Sequence, residues 1–117
     1  MRGMRVFDHI GIPAQQTRAG ELYVAETKVW VTDPAKDAQR IEYLRFEPDS
    51  PVTGPVREMP HVAFQTDNLE REIEGAEILL GPFQATPHLR VVFVKKDGAV
   101  FEFIENQAGV GAPWFPS

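Results

Sequence analysis

Alternating apolar and polar residues predict a chain built mainly from short β-strands. Val29 and Val31 alternate with Trp30, as expected for a strand with one buried face. The Asp97-Gly98 dipeptide separates the last two predicted strands and is typical of a tight hairpin turn. The predicted strands cover residues 5–12, 21–32, 40–47, 61–65, 78–83, 90–95 and 99–105.

One short helix is predicted between the fourth and fifth of these strands. Glu70 follows Asp67 by three positions, which is the spacing of an N-terminal capping box. Leu69 and Ile73 share one helical face, and Gly75 is a natural C-terminal stop. The acidic residues of this segment are expected to form a solvated face; they are Glu70, Glu72 and Glu74.

The region between the two halves of the chain is predicted to be irregular. Residues 48–60 contain four prolines and one glycine, which disfavour regular structure. The tail is rich in Gly and Pro, and its Trp114 and Phe115 are expected to pack against the protein. We expect a single domain, residues 1–117, composed of a first module at about 4–48, a linker at 49–59, a second module at about 60–106 and a tail at 107–117.

Composition and charge narrow the classes of function. The chain has 117 residues, of which 43% are hydrophobic and 25% charged, as in a typical globular domain. The absence of cysteine excludes disulfides, thiolate metal sites and a cysteine nucleophile. A net charge of −5 disfavours nucleic-acid binding, and no apolar run approaches the ~20 residues of a membrane helix. We therefore expect a cytoplasmic protein whose partner is a small-molecule substrate, with no nucleic acid and no membrane.

The two halves repeat one pattern of histidine and glutamate. Each half begins with a histidine that is followed by apolar, small and apolar residues, His9 in the first half and His61 in the second. Each half later places one acid between two bulky β-forming residues, Glu42 in the first half and Glu102 in the second. The shared order of four residues favours a true internal repeat over coincidence.

Both glutamates are predicted to project from apolar strand faces. Because side chains alternate along a strand, Glu42 shares its face with Leu44, and Glu102 shares its face with Ile104. A bare carboxylate is costly to bury there, and a divalent cation is one compensating partner. Two imidazoles and two carboxylates suit zinc, iron, nickel, cobalt or manganese. The predicted metal ligands are His9, Glu42, His61 and Glu102.

Ordinary structural roles are open for each of these residues. A strand histidine is commonly half-buried and can bond a backbone carbonyl or water. Glu102 has Arg90 and Lys95 as possible cross-strand partners. Glu42 has Arg40 and Arg45 nearby in sequence. The joint pattern favours a metal or catalytic site, because clustered ionisable groups mark such sites.

Three motifs resemble those of the vicinal oxygen chelate superfamily, which includes glyoxalase I, methylmalonyl-CoA epimerase, extradiol dioxygenases and bleomycin-resistance proteins. The motifs are Phe-Asp-His-Ile-Gly-Ile-Pro at 7–13, Pro-His-Val-Ala-Phe followed by Thr-Asp-Asn at 60–68, and Asp-Gly-Ala-Val-Phe-Glu-Phe at 97–103. The resemblance implies an α+β fold in which paired βαβββ modules form a curled mixed sheet around a cleft.

The resemblance also has implications for the site and the assembly. His9, His61 and Glu102 match metal-ligand positions of the superfamily, and Glu42 is the nearest match to the remaining ligand. Residues 14–25 lack the amphipathic helix that members usually carry, so the first-module helix is expected to be shortened or absent. Small paired-module proteins of this kind often associate, which implies a homodimer.

The implied function is that of a glyoxalase-like, metal-dependent lyase or isomerase acting on a small α-oxygenated carbonyl compound. The ion would polarise a carbonyl, and Glu102 or Glu42 would act as the catalytic base. One alternative is a mononuclear iron extradiol-type dioxygenase that uses His9, His61 and Glu102, with Glu42 outside the coordination shell. The other is a metal-free small-molecule binding protein of the bleomycin-resistance type, with a ligand stacked near Trp30 or Trp114.

Overall fold

A computed structural model describes residues 5–110 and 112–113 of the chain. Eight strands and three short helical segments make up the described part. The strands are β1 (Arg5–Pro13), β2 (Leu22–Val24), β3 (Val29–Val31), β4 (Ile41–Phe46), β5 (His61–Thr66), β6 (Glu77–Gln84), β7 (Leu89–Lys96) and β8 (Ala99–Asn106). The helical segments are a 3₁₀ turn (Pro34–Lys36), α1 (Pro55–Glu58) and α2 (Leu69–Ile73).

All eight strands belong to one mixed sheet with the order β2-β3-β4-β1-β5-β8-β7-β6. β1 and β5 run antiparallel at its centre. On one side β1 pairs in parallel with β4, and on the other side β5 pairs in parallel with β8. In each half, therefore, the first strand lies beside the last. This arrangement confirms the predicted α+β fold of two paired modules in one curled sheet.

The two faces of the sheet differ in what covers them. We call the face that carries Glu42 and Glu102 the inner face, and the opposite one the outer face. On the outer face of the second module, Leu69 of α2 is fully buried and packs with residues such as Val92 and Phe103. In the first module, residues 14–21 contain no helix. The prediction of a shortened or absent first-module helix is confirmed.

The inner face carries most of the apolar core. One cluster includes Val91 and Ile104 of the second module together with Val52 and Val56 from the segment between the modules. A second cluster consists of first-module residues; they are Val24, Val29, Val31 and Leu44. Phe46 packs against both clusters, so the two halves share a continuous apolar interior.

Several predicted elements need correction. The single strand expected at 21–32 is two strands, because residues 25–28 form a turn in which Lys28 adopts a φ of 49°. The segment expected to be irregular contains the one-turn helix α1. The N-cap of α2 is Asn68 and not Asp67, since the Asn68 side chain accepts a hydrogen bond from the backbone of Arg71 at 3.1 Å. Gly75 follows this helix with a φ of 73°, as expected of a C-terminal stop.

The expectation of a solvated acidic face is wrong for Glu72. Its side chain is only 2% exposed and forms an ion pair with Arg5, which lies near the N-terminus. Thr66 donates a hydrogen bond to Glu72 at 2.9 Å, and Arg71 lies 3.2 Å away. Burial opposes ionisation, but these donors outweigh it and hold the pKa of Glu72 below its usual range.

Within residues 5–110 and 112–113, no helix has the length and apolar character needed to cross a bilayer. The predicted packing of Trp114 and Phe115 lies outside the described residues.

Candidate metal centre

Four buried side chains meet on the inner face at the middle of the sheet. They come from four adjacent strands, and one chain supplies all of them. One ligand atom from each lies within 4.8 Å of the corresponding atom of every other. The four residues are Glu42 on β4, His9 on β1, His61 on β5 and Glu102 on β8. All of the predicted site residues are therefore brought together.

The distances within the cluster are those of polar atoms around a common centre. Nε2 of His9 lies 3.2 Å from Oε1 of Glu42 and 3.3 Å from Oε1 of Glu102. Nε2 of His61 lies 3.1 Å from the same oxygen of Glu102 and 4.0 Å from Oε1 of Glu42. Both imidazoles are 1% exposed, so the cluster is almost completely withdrawn from solvent.

Strand register explains why these particular residues converge. In the first module Glu42 pairs with Gly11, which is two positions after His9 and on the same face. In the second module Glu102 pairs with Ala63, which is two positions after His61. The internal repeat seen in the sequence is thus a repeat of register, and it places equivalent donors on the two halves of the sheet.

The small residue Gly11 makes room for His61. The two residues are partners across the β1–β5 seam. A Cβ atom added to Gly11 would overlap the imidazole of His61. On its other side this imidazole meets the ring of Phe93 edge-on, with 5.1 Å between ring centroids. Space and packing therefore fix the position of His61.

His9 is held by a hydrogen bond as well as by packing. Its Nδ1 lies 2.6 Å from Oδ2 of Asp8, and Oδ1 of Asp8 accepts a hydrogen bond from Gln65 at 2.8 Å. Asp8 is buried because a bulge between Phe7 and His9 shifts the register of β1 against β5. A carboxylate at Nδ1 favours the tautomer whose Nε2 lone pair points into the cluster.

The charges of the cluster are strongly coupled. Burial alone would lower the pKa of His9. The charge of Glu42 and the hydrogen bonds to Asp8 and Glu102 outweigh burial, so the pKa of His9 lies well above its usual value of 6.5. Burial raises the pKa of Glu102, but hydrogen bonds from His61 and His9 more than reverse this and lower the pKa. Asp8 behaves in the same way: burial is outweighed by its hydrogen bonds to His9 and Gln65, and its pKa is lowered.

The donor set fits a divalent metal ion. Such an ion lies about 2.0–2.2 Å from histidine nitrogen and carboxylate oxygen, so neighbouring ligand atoms on it are roughly 3 Å apart. Three of the four histidine-to-glutamate distances lie within a few tenths of an ångström of that spacing. The cluster could hold a divalent cation, and neutral imidazoles with two carboxylates would leave the loaded site near zero charge.

The ordinary ion pairs considered for the two glutamates do not form in the described structure. Arg90 pairs with Glu70 at 2.7 Å and lies 3.6 Å from Glu105. Arg45 pairs with Glu21 at 2.7 Å, and Arg40 lies 3.7 Å from Asp8. These arginines therefore leave both glutamates of the cluster to the histidines.

The ligand stack considered near Trp30 is displaced from the cluster. Trp30 pairs in register with Arg45, so it lies on the outer face, and its Nε1 donates to Glu47 at 3.0 Å. Its ring lies 4.9 Å from that of Tyr23. The other residue considered for stacking, Trp114, lies outside the described residues.

Sequence reasoning missed Asp8 and Gln65. Asp8 stands next to His9 within the first motif, and an acid beside a candidate ligand was the available signal. Strict alternation, however, places Asp8 on the opposite face, and only the bulge brings it to the imidazole. Gln65 carries no recognisable signal in the sequence.

Comparison with known proteins supports the fold. No protein-family profile and no curated protein sequence matches the chain. The hypothetical protein BH1468 from Bacillus halodurans C-125 superposes with a TM-score of 0.65 and 17% identity, over 92% of this chain and 99% of that one. Methylmalonyl-CoA epimerase from Mycobacterium tuberculosis superposes with a TM-score of 0.59 and 13% identity, over 92% of this chain and 89% of that one. The chain therefore shares its fold with these two proteins.

Proposed function

We propose that this protein is a glyoxalase-like, metal-dependent lyase or isomerase that acts on a small α-oxygenated carbonyl compound. The observation that carries the proposal is the convergence of two buried imidazoles and two buried carboxylates from four adjacent strands. A methylmalonyl-CoA epimerase shares the fold, which is compatible with proton-transfer chemistry but does not fix it.

The four residues would act as metal ligands, and the glutamates would have a second role. A divalent ion bound there supplies Lewis-acid polarisation of a carbonyl oxygen. His9 and His61 bind through Nε2, and Asp8 holds His9 in the required tautomer. A carboxylate oxygen of Glu102 or Glu42 accepts the proton from the carbon next to the carbonyl and returns it to the substrate. The apolar surroundings of both carboxylates exclude water from this exchange.

Metal content is the first test. Elemental analysis of the purified wild-type protein should find about one zinc, nickel, cobalt, manganese or iron ion per chain. The variant His61→Ala should lose it, because a ligand is removed. His88→Ala is the matched control, since His88 is exposed in a loop and is not one of the four clustered residues. A wild-type protein that binds no added metal would contradict the proposal and favour a metal-free binding protein.

Proton transfer is the second test. The metal-loaded protein in D₂O should exchange the α-hydrogen of an α-hydroxy or α-oxo carbonyl compound, which proton NMR detects without knowledge of the final product. Glu102→Gln should abolish this exchange and keep the fold, whereas Glu77→Gln, at an exposed strand position, should not affect it. Normal exchange by the Glu102 variant would refute the assignment of Glu102.

A second candidate is the mononuclear iron extradiol-type dioxygenase. It is favoured by the distance of 4.0 Å between Nε2 of His61 and Oε1 of Glu42, which is longer than the 3.1 Å from the same nitrogen to Glu102 and makes Glu42 the weaker candidate ligand. Oxygen uptake by the iron-loaded protein with a catechol would identify this activity.

The assembly is proposed from the superfamily resemblance, and the location from the absence of cysteine and of a long apolar run. We propose a cytoplasmic homodimer, which light scattering on the eluting protein would reveal as twice the mass of one chain.

A further inference from the structure

A cavity of about 60 Å³ lies on the inner face next to the four-residue cluster. His9, Glu42 and Glu102 form one part of its wall. The remaining wall comes from both modules and from the segment between them, which contributes Val52 and Val56. A substrate held at the cluster would therefore extend into this space.

The wall away from the cluster is almost entirely apolar. Among its other lining side chains, Thr27 and Thr86 are the polar ones, and no lysine or arginine of the described residues lines the cavity. A carboxylate or phosphate placed there would have no charge partner, and burying such a group unpaired is costly. The cavity is suited to an uncharged hydrocarbon group.

The volume limits the size of that group. An apolar cavity of about 150 Å³ accommodates the six carbons of benzene. By proportion, a cavity of 60 Å³ accommodates roughly two or three carbons. Val91 and Ile104 in its wall are buried and belong to the packed core, so a larger group would force strain into that core.

Building on the proposed function, we infer that the substrate is a carbonyl compound with an uncharged, short aliphatic side group of two or three carbons. Its two neighbouring oxygens lie at the His-Glu cluster, and the aliphatic group fills the cavity. Compounds whose side group is aromatic or anionic do not belong to this class.

Hydroxamates test this inference, because they offer one constant pair of neighbouring oxygens with a variable side group. Acetohydroxamate, butyrohydroxamate and benzohydroxamate carry one, three and six carbons beyond the chelating unit. Titration calorimetry of the zinc-loaded protein should find butyrohydroxamate roughly tenfold tighter than acetohydroxamate, from two more buried methylenes. Benzohydroxamate should bind more weakly than either. Equal affinities, or the tightest binding for benzohydroxamate, would overturn the inference.

A cavity-filling variant links the preference to this space. Ala85 lines the cavity, and Ala85→Leu should remove most of the tenfold advantage of butyrohydroxamate. Ala99→Leu is the matched control at an exposed strand position, and it should keep the advantage. An advantage that persists in the Ala85 variant would place the side group elsewhere and contradict the inference.

A metal-free measurement separates this inference from the proposed function. Xenon should shift the methyl NMR signals of Val91 and Leu89 in the metal-free protein, whereas benzene should not. Failure to bind zinc, with the xenon result as expected, would reject the metal chemistry and keep the short aliphatic group as the ligand class. Entry of benzene as readily as xenon would overturn the aliphatic class whatever the metal result.

Discussion

The two histidines occupy equivalent positions in the two modules but are held by different means. His9 is fixed through its Nδ1 by Asp8, which in turn accepts a hydrogen bond from Gln65. His61 is preceded by a proline, and its Nδ1 has no hydrogen-bond partner among the described residues. Its position is set by the open space at Gly11 and by the edge of the Phe93 ring.

This difference shows that repeated register is sufficient to place equivalent donors, although their local support has diverged. The position of an imidazole held by a hydrogen bond depends on electrostatics, and the position of a packed imidazole depends on the shape of its surroundings. The two should therefore respond to different substitutions.

The largest effect on zinc affinity is expected from Gly11→Ala, which perturbs His61, the histidine positioned by packing. The new Cβ overlaps the His61 imidazole, so this ring has to move away from the cluster. We expect zinc affinity to fall more than 100-fold and the free energy of unfolding to fall by about 1–3 kcal/mol from overpacking. Competition with a chelator and thermal melting would measure the two effects.

The equivalent position in the second module supplies the control for Gly11→Ala. Ala63 pairs with His9, and Ala63→Gly removes a methyl group instead of adding one. We expect it to leave zinc affinity within a fewfold of wild type. A Gly11→Ala protein with nearly normal affinity would show that space does not control His61.

The second-largest effect on zinc affinity is expected from Asp8→Asn, which perturbs His9, the histidine held by a hydrogen bond. Loss of a carboxylate behind a ligating histidine typically costs 10–100-fold in metal affinity. The same substitution at exposed Asp97, in the β7–β8 turn, should change affinity less than twofold. Isothermal titration with zinc would compare the two variants, and equal affinities would remove Asp8 from the support of His9.

The stability of the metal-free protein should depend on pH through the protonation of His9. The pKa of His9 lies above 6.5, so its stabilising contribution is complete below pH 6.5 and is lost as the pH rises through the folded-state value. The pKa values of Asp8 and Glu102 lie below 3.8 and 4.5, so their contribution is present above those values and is lost as the pH falls. The metal-free protein should therefore be most stable between about pH 4.5 and 6.5.

With zinc present, the loss of stability above pH 6.5 should be replaced by a gain. Zinc has to displace the proton from Nε2 of His9, so its affinity should rise by up to about tenfold per pH unit below the folded-state pKa. Thermal melts from pH 4 to 9, with and without zinc, would measure both curves. An identical pH optimum in the two series would contradict this coupling.

The smallest effect is expected from Phe93→Leu, which loosens the ring contact of His61 but leaves Gly11 unchanged. The ring-edge contact is worth about 0.5–1.5 kcal/mol, so zinc affinity should fall no more than about tenfold. Phe101→Leu is the control, because Phe101 packs with the outer-face cluster around α2. A larger loss for the Phe101 variant would show that the effect is global and not local to His61.

The sequence predicted those features that depend on local pattern. Strand alternation predicted most of the strands, and the repeated order of His9, Glu42, His61 and Glu102 predicted the meeting of the four donors. The curled sheet of paired modules was implied by the superfamily resemblance of the three motifs. Side-chain alternation along each strand also predicted that both glutamates project from apolar faces.

Features that depend on contacts between distant segments were not predictable. Asp8 reaches His9 only because β1 bulges, and the register of a bulge is set by pairing with β5. Glu72 is buried by Arg5, which lies 67 positions earlier in the chain. One local feature was also missed: the turn that divides 21–32 into two strands has its positive φ at Lys28, where a lysine and not a glycine stands.

The division of the four donors between the modules has a further consequence. Each half of the sheet contributes one imidazole and one carboxylate, and among the described strands the halves pair directly only through β1 and β5. An ion bound by all four residues would cross-link the two halves of the sheet at that junction. Its release would then weaken the attachment of one half to the other, and partial separation of the halves would lower the ion's affinity to the same degree.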